Sequence, residues 1–327
     1  MQSNGTFLFP KTEALNSQLE KFVGKVHSPF HMTKMVRRKK FDYHSTSPAE
    51  IISCSLDNGQ LIHLFCKYAG GHTQFSNGHR GGVEYETKVY QKVLNKQSLS
   101  SPRFYGAYKG KDKRCLIVQY LKGSKLLKDD HDPHHFAKAA AWIGTLHKNH
   151  AANTPTSIKK YDTAYYLVWL EAVEKIANAF GDKYTWLPVV CEWFRENLHL
   201  LLNGPQTFIH GEYYTKNILV RRGNIYPIDW ESAAIGAGEI DLASLVEGWD
   251  YKRQRVAIKE YIKARWPGGD FDHDIFKERL LIAKIYFFLR WTGEYDDPDC
   301  WVDKPNWFKN FYQEIKKAGF KQTAMAL

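Results

Sequence analysis

The sequence predicts an α+β fold in two parts, a β-rich stretch over residues 1–121 and a mainly helical one over 122–327. Two observations carry this. Apolar, β-favouring runs crowd the first part: Ile51, Ile52, Leu56, Leu61, Ile62, Leu64 and Phe65 flank Asp57-Asn58-Gly59, a turn whose Asn-Gly accepts positive φ and closes a hairpin. After Leu121 the apolar spacing changes to helical periods and stays there. A prior of about 150 residues per domain fits two lobes for a chain of this length.

In order, residues 11–24 read as a helix with Leu15, Leu19 and Phe22 on one face, and 34–68 as strands. A glycine-rich loop, 70–82, comes next and reads as a mobile connector. Val83, Glu86, Val89, Tyr90, Val93 and Leu94 then make a helical stripe. Strands near 103–108 and 114–121 close the first part. Helices are expected over 133–150, 162–180, 186–203, 239–248, 251–265, 272–294 and 304–318. Pro133 suits a first helical turn with Asp132 as cap, a simpler account of His131, His134 and His135 than a metal site. Only 206–209, 217–221 and 224–228 look extended.

The formal charge of +11 allows anionic partners, but no nucleic-acid module is recognisable, so nucleic acid is not expected. The basic run at 34–40 leads into an extended segment and reads as the flank of a strand. Five cysteines without a CxxC pair point to reduced thiols. No apolar run approaches the ~20 residues that span a bilayer, and the N-terminus lacks a signal pattern. The expectation is a cytoplasmic protein that does not enter a membrane.

The chemistry concentrates in His210-Gly211-Glu212-Tyr213-Tyr214-Thr215-Lys216-Asn217, followed by an apolar run, a turn at Arg222-Gly223-Asn224 and then Asp229-Trp230-Glu231. One loop thus holds a carboxylate and an amide, and the next strand returns with a second carboxylate. Phosphoryl transfer needs this set. One carboxylate receives or orients an acceptor hydroxyl, while a carboxylate and an amide oxygen hold Mg2+ against the phosphates.

The pattern H-G-[D/E]-x4-N followed by D-[W/F/P]-E resembles the aminoglycoside phosphotransferase and choline kinase superfamily. The likeness is strong over residues 205–250 and looser over 45–125. It implies a two-lobed, protein-kinase-like fold and a small-molecule kinase using ATP or GTP with Mg2+. By that resemblance Glu212 takes the catalytic carboxylate position and His210 orders the loop. Asn217 and Asp229 become the metal ligands. Lys67 pairs with the α- and β-phosphates. Its ion-pair partner is Glu86, with Glu84 as the competing candidate. Gln119, Tyr120 and Leu121 form the hinge whose backbone holds the adenine.

Two departures qualify the likeness. Glu212 stands where the family usually has aspartate, which leaves an alternative: a pseudokinase that binds nucleotide without turnover. No GxGxxG precedes Lys67, and the matching turn is Ser45-Thr46-Ser47-Pro48, whose hydroxyls and N–H groups suit phosphate oxygens. The acceptor is expected against the later helices, with Asp241, Glu247, Trp249, Asp250, Trp291 and Glu294 as candidates. A basic chain favours a neutral, weakly charged or anionic hydroxyl compound, natural-product or antibiotic-like, over a polycation.

Overall fold

A computed structural model describes residues 9–41, 47–70, 77–110, 114–152, 154–295 and 297–320. The chain forms two compact units. The first runs to Lys125 and takes in Leu219–Ser232; the second comprises Leu126–Ile218 and Ala233–Leu327. The expectation that everything beyond 121 belongs to one later lobe is therefore corrected. The segment Leu219–Ser232 is tied to the first unit by polar bonds that its sequence does not advertise. Ser100 Oγ donates to the Ile225 carbonyl, Arg221 Nε to the Lys122 carbonyl, and the Gly81 N–H to the Glu231 carbonyl.

In the first unit, β1 (Met32–Lys40), β2 (Ala49–Leu56), β3 (Leu61–Tyr68), β4 (Phe104–Lys109) and β5 (Arg114–Gln119) make an antiparallel sheet of order β1-β2-β3-β5-β4. The β2–β3 turn is the predicted one, with Gly59 at φ +80°. Helix α1 (Thr12–His27) lays Leu15, Leu19 and Val23 on one sheet face, against Ile52, Cys54, Leu64, Cys66 and Ile117. The basic run lies within β1 rather than beside it. Lysine and arginine on an edge strand discourage pairing with another chain, and Arg38 is anchored by both carboxylate oxygens of Glu50 at 2.8 and 2.7 Å. Helix α2 (Gly82–Lys92) buries Val83, Glu86, Val89 and Tyr90. Residues 71–76 of the connector lie outside the described residues.

The second unit is helical. Helix α3 (Pro133–His150) opens as expected, with the Asp132 carboxylate accepting the His134 N–H. It packs on α8 (Tyr251–Arg265) across Gly144, where a Cβ would stand 2.7 Å from the Tyr261 carbonyl oxygen. Helix α4 (Thr163–Phe180) and α7 (Glu239–Val246) pack on α9 (His273–Gly293), which is buried along most of its length. The predicted helix over 186–203 is two pieces, α5 (Trp186–Asn197) and α6 (His199–Leu202). Helix α10 (Pro305–Lys317) follows α9. Strand β7 (Gln206–Ile209) pairs with a strand not foreseen, Ala234–Ala237. Its Ala-Ile-Gly-Ala sequence is too short and too small-sided for a strand signal. Between them β8 (Ile218–Arg221) and β9 (Asn224–Pro227) form a hairpin, so Ala234–Ala237 is β10 once the two-residue β6 (Lys125–Leu126) is counted.

Candidate active site

In the first unit the alternation of β3 sends Phe65 and Lys67 to the face opposite α1, and Lys67 is 8% exposed. A lone buried ammonium costs several kcal/mol, so it must be paired. Its Nζ lies 2.8 Å from Glu86 Oε2, 2.5 Å from Asp229 Oδ1 and 4.0 Å from Glu231 Oε2. Burial alone would push the ammonium down; Asp229, Glu86 and Glu231 more than reverse this and hold it well above the ordinary lysine range. Glu86 is fixed in turn, since its Oε1 accepts the Trp230 N–H at 3.2 Å. Glu84, the competing partner, is exposed and pairs with Arg114 instead.

Asp229 has φ +68°, a left-handed conformation rare outside glycine. The turn aims the carboxylate at Lys67 with one oxygen, while Oδ2 has no partner among the described residues. That oxygen is a hard donor of the kind Mg2+ prefers. At the hinge the Tyr120 N–H donates to the His63 carbonyl, and the Tyr120 and Leu121 carbonyls accept from Lys122 and Ser124. The Leu121 N–H has no partner among the described residues. Ser47 is buried; Ser45 and Thr46 lie outside the described residues.

In the second unit β7 ends at Ile209 and delivers His210 into the core. Gly211 turns the chain at φ +82°, a value that a Cβ would strain. The loop is held from below by Asp241, in the first turn of α7. Its Oδ2 accepts the His210 N–H at 2.7 Å and its Oδ1 the Gly211 N–H at 2.9 Å. Asp241 was a candidate for binding the acceptor; it is wholly buried and its oxygens are spent on the loop, so that expectation is corrected. Behind it runs a buried chain of donors: Arg265 to the Tyr261 hydroxyl, that hydroxyl to His147 Nδ1, and His147 Nε2 to Asp241. Burial, with Arg265 adding to it, holds the His147 imidazole below its usual range despite Asp241. Glu239 would be pushed up by burial, but Arg265 and Arg279 outweigh that and keep it ionised.

Within the loop His210 Nδ1 accepts the Glu212 N–H at 3.3 Å. Asn217 Nδ2 donates to the Glu212 carbonyl at 3.0 Å, which orients the amide so that its oxygen is the remaining acceptor. The Glu212 side chain is 3% exposed and lies 3.7 Å from Arg290 Nη1. Sequence reasoning missed Arg290, since an arginine inside an apolar helix period carries no mark of its neighbours. It also pairs with Glu294 at 3.0 Å and donates to the Tyr214 hydroxyl, which receives the Trp291 indole N–H as well.

Of the acceptor candidates, Trp291 and Glu294 are thus gathered beside Glu212. Trp249 packs against Phe136 and carries Arg253 over its ring, and Asp250 caps α8 through the Arg253 N–H. The cap occupies one oxygen of Asp250, whose side chain remains exposed. Glu247 is exposed at the end of α7.

The phosphotransferase enzyme family model matches residues 75–274, more than half the chain. The chain belongs to that family. Solved structures with similar folds include choline kinase from Cryptosporidium parvum at 16% identity, covering 94% of this chain and 95% of that one, with a TM-score of 0.61. Another is aminoglycoside 2'-phosphotransferase-IIIa in its GDP complex, at 12% identity, 94% and 98% coverage and a TM-score of 0.59. A third is amicoumacin kinase hAmiN in complex with AMP-PNP, Ca2+ and Ami, at 11% identity, 94% and 97% coverage and a TM-score of 0.57. Among curated proteins, none matches this sequence significantly. The fold is therefore the α+β, kinase-like one that the motifs implied, and the chain is a phosphotransferase. Among the described residues no helix is long and apolar enough to cross a membrane.

Proposed function

We propose that this phosphotransferase moves the γ-phosphate of ATP or GTP onto a hydroxyl group of a small molecule. The observation that carries the reading is the Lys67 cluster. A strand lysine buried between a helix glutamate and the left-handed Asp229 is costly to build, and polyphosphate binding gives it a purpose. Lys67 neutralises phosphate oxygens and Glu86 holds it in line. The hinge backbone at Gln119, Tyr120 and Leu121 takes the purine. Asp229 Oδ2 and the Asn217 amide oxygen are hard donors that suit Mg2+, which would screen the phosphate charge when bound.

Glu212 orients the acceptor hydroxyl and receives its proton. The acceptor oxygen forms the new bond to the γ-phosphorus as the bond to the β-bridging oxygen breaks. Arg290 sets a positive charge 3.7 Å from the buried Glu212 carboxylate, and His210 and Asp241 keep the loop in register. The neighbours named above act on choline, an aminoglycoside and amicoumacin, so a small hydroxyl compound is the fitting acceptor class. Trp291, Tyr214 and Glu294 line the side from which it approaches Glu212. Lys216, exposed on the same loop and 5.2 Å over the Trp291 ring, disfavours a polycation there.

The test is Glu212→Gln, which keeps size and removes charge. Loss of a positioned base costs about 10²–10⁴-fold in kcat, with Mg-nucleotide affinity nearly unchanged. Wild-type turnover in that variant sinks the assignment. Phosphate transfer by the unaltered chain, found by screening hydroxyl compounds, rules out nucleotide binding without turnover.

A further inference from the structure

The first unit carries a second concave site that the reaction does not use. A cavity of about 280 Å³ opens where α1 ends, β3 and β4 begin and β5 gives way to the hinge. Its walls bring together Arg103, Lys122, Arg221, His27 and His63, and no carboxylate lines it. Among the described residues no acid pairs with Arg103, Lys122 or Arg221. The only bond the Arg221 guanidinium makes there is from Nε to the Lys122 carbonyl, so its outer nitrogens remain free. Each imidazole is steadied through one nitrogen: His27 Nε2 on the Tyr105 hydroxyl at 2.8 Å, His63 Nδ1 on the Ser53 hydroxyl at 2.9 Å. The second nitrogen of each has no partner among the described residues. The cationic field is felt locally. Burial, and then Arg103, holds His27 below the usual histidine range; burial, and then Lys122, does the same for His63.

Converging cations with no carboxylate among them favour an anion, and guanidinium forks match phosphate oxygens in geometry as well as charge. The size narrows the class. Small-molecule pockets begin at about 300 Å³, so this one suits a compact organic phosphate rather than a nucleotide. Gln60 and Gln119 at its walls supply amides for hydroxyl groups on the organic part. The site is not the Lys67 cluster: His63 and Lys67 are four residues apart on β3, roughly 13 Å along a strand.

We infer that this cavity is a binding site for a small phosphomonoester bearing hydroxyl groups. Gln119 and Tyr120 belong both to its wall and to the hinge, so occupancy would be felt by the nucleotide. A phosphomonoester is also the product class of the reaction proposed above; that link alone rests on the proposed reaction, and the site does not.

Glycerol 3-phosphate titrated calorimetrically into the full chain tests the inference, with glycerol and inorganic phosphate as controls. Saturable, salt-sensitive binding is expected at millimolar concentration or below, undiminished in Lys67→Ala. Arg103→Ala and Lys122→Ala should each weaken it by about tenfold, the worth of one good charged contact. Both side chains are exposed, so these variants fold. Absence of saturable binding overturns the inference, as does equal binding by the Arg103→Ala, Lys122→Ala double variant. Binding lost in Lys67→Ala instead would move the phosphate to the nucleotide cluster. Equal affinity for inorganic phosphate would overturn the ester assignment. Loss of transfer in Glu212→Gln leaves every one of these outcomes unchanged, so the two readings fail separately.

Discussion

His147 shows how much of the loop rests on a residue that never meets a substrate. Its neutral ring accepts from Tyr261 at Nδ1 and donates to Asp241 at Nε2, and Asp241 holds the His210 and Gly211 amides. Protonating Nδ1 removes the acceptor that Tyr261 needs. In the unfolded chain an imidazole takes its proton near pH 6.5, as free histidine does; in the folded chain His147 takes it lower. Between those two values the unfolded state binds more protons, so stability falls as pH falls, by up to about 1.4 kcal/mol per pH unit for one group. Urea denaturation between neutral pH and mildly acidic pH should show this slope. His27 and His63 shift in the same direction, so His147→Gln should remove part of the slope, not all. An unchanged slope in the variant would refute the assignment.

At the scale of elements, the close crossing of α3 and α8 decides whether Asp241 has anything behind it. Gly144 lets the helices approach until a Cβ would stand 2.7 Å from the Tyr261 carbonyl and 3.1 Å from the Ala264 Cβ. Backbone cannot yield as a flexible side-chain end can. Overpacking a tight contact costs about 1–3 kcal/mol. Gly144→Ala is expected to lower the unfolding free energy read by urea denaturation by that amount, and to lower kcat through a shifted His147, while the KM for nucleotide stays near the wild-type value. A variant with wild-type stability would show the crossing to be looser than drawn. Strand β1 is the contrasting element. Lys34, Arg37 and Lys39 face solvent beside Arg38, which Glu50 anchors, and neutralising Lys34 or Lys39 is expected to leave activity alone.

For the whole molecule, the net charge of +11 bears on any anionic ligand. Anion binding should weaken with salt, as screening shortens the reach of exposed charges to about 8 Å at physiological ionic strength. A ligand that binds only the folded chain stabilises it by about 2.7 kcal/mol at a hundred times its Kd. Millimolar Mg-ATP or Mg-GTP should therefore raise the melting temperature, and EDTA should reverse most of the gain if Asp229 and Asn217 hold the metal. A flat melting curve with both nucleotides would contradict the proposed function.

Sequence alone settled the fold class and the family. The β-to-α change after Leu121 and the linked spacing of His210, Glu212, Asn217 and Asp229 are written in the order of residues, because turns, periods and loop motifs are local. The caps at Asp132 and the hairpin at Gly59 were legible for the same reason. Tertiary structure alone decided which acid meets which base. Glu86 rather than Glu84 reaches Lys67, Asp241 serves the loop rather than an acceptor, Arg290 lies beside Glu212, and Leu219–Ser232 joins the first unit. Each of these turns on which face of an element is buried and on what lies across from it. Partners distant in sequence become neighbours only when the core packs, and burial then forces every charge to find one.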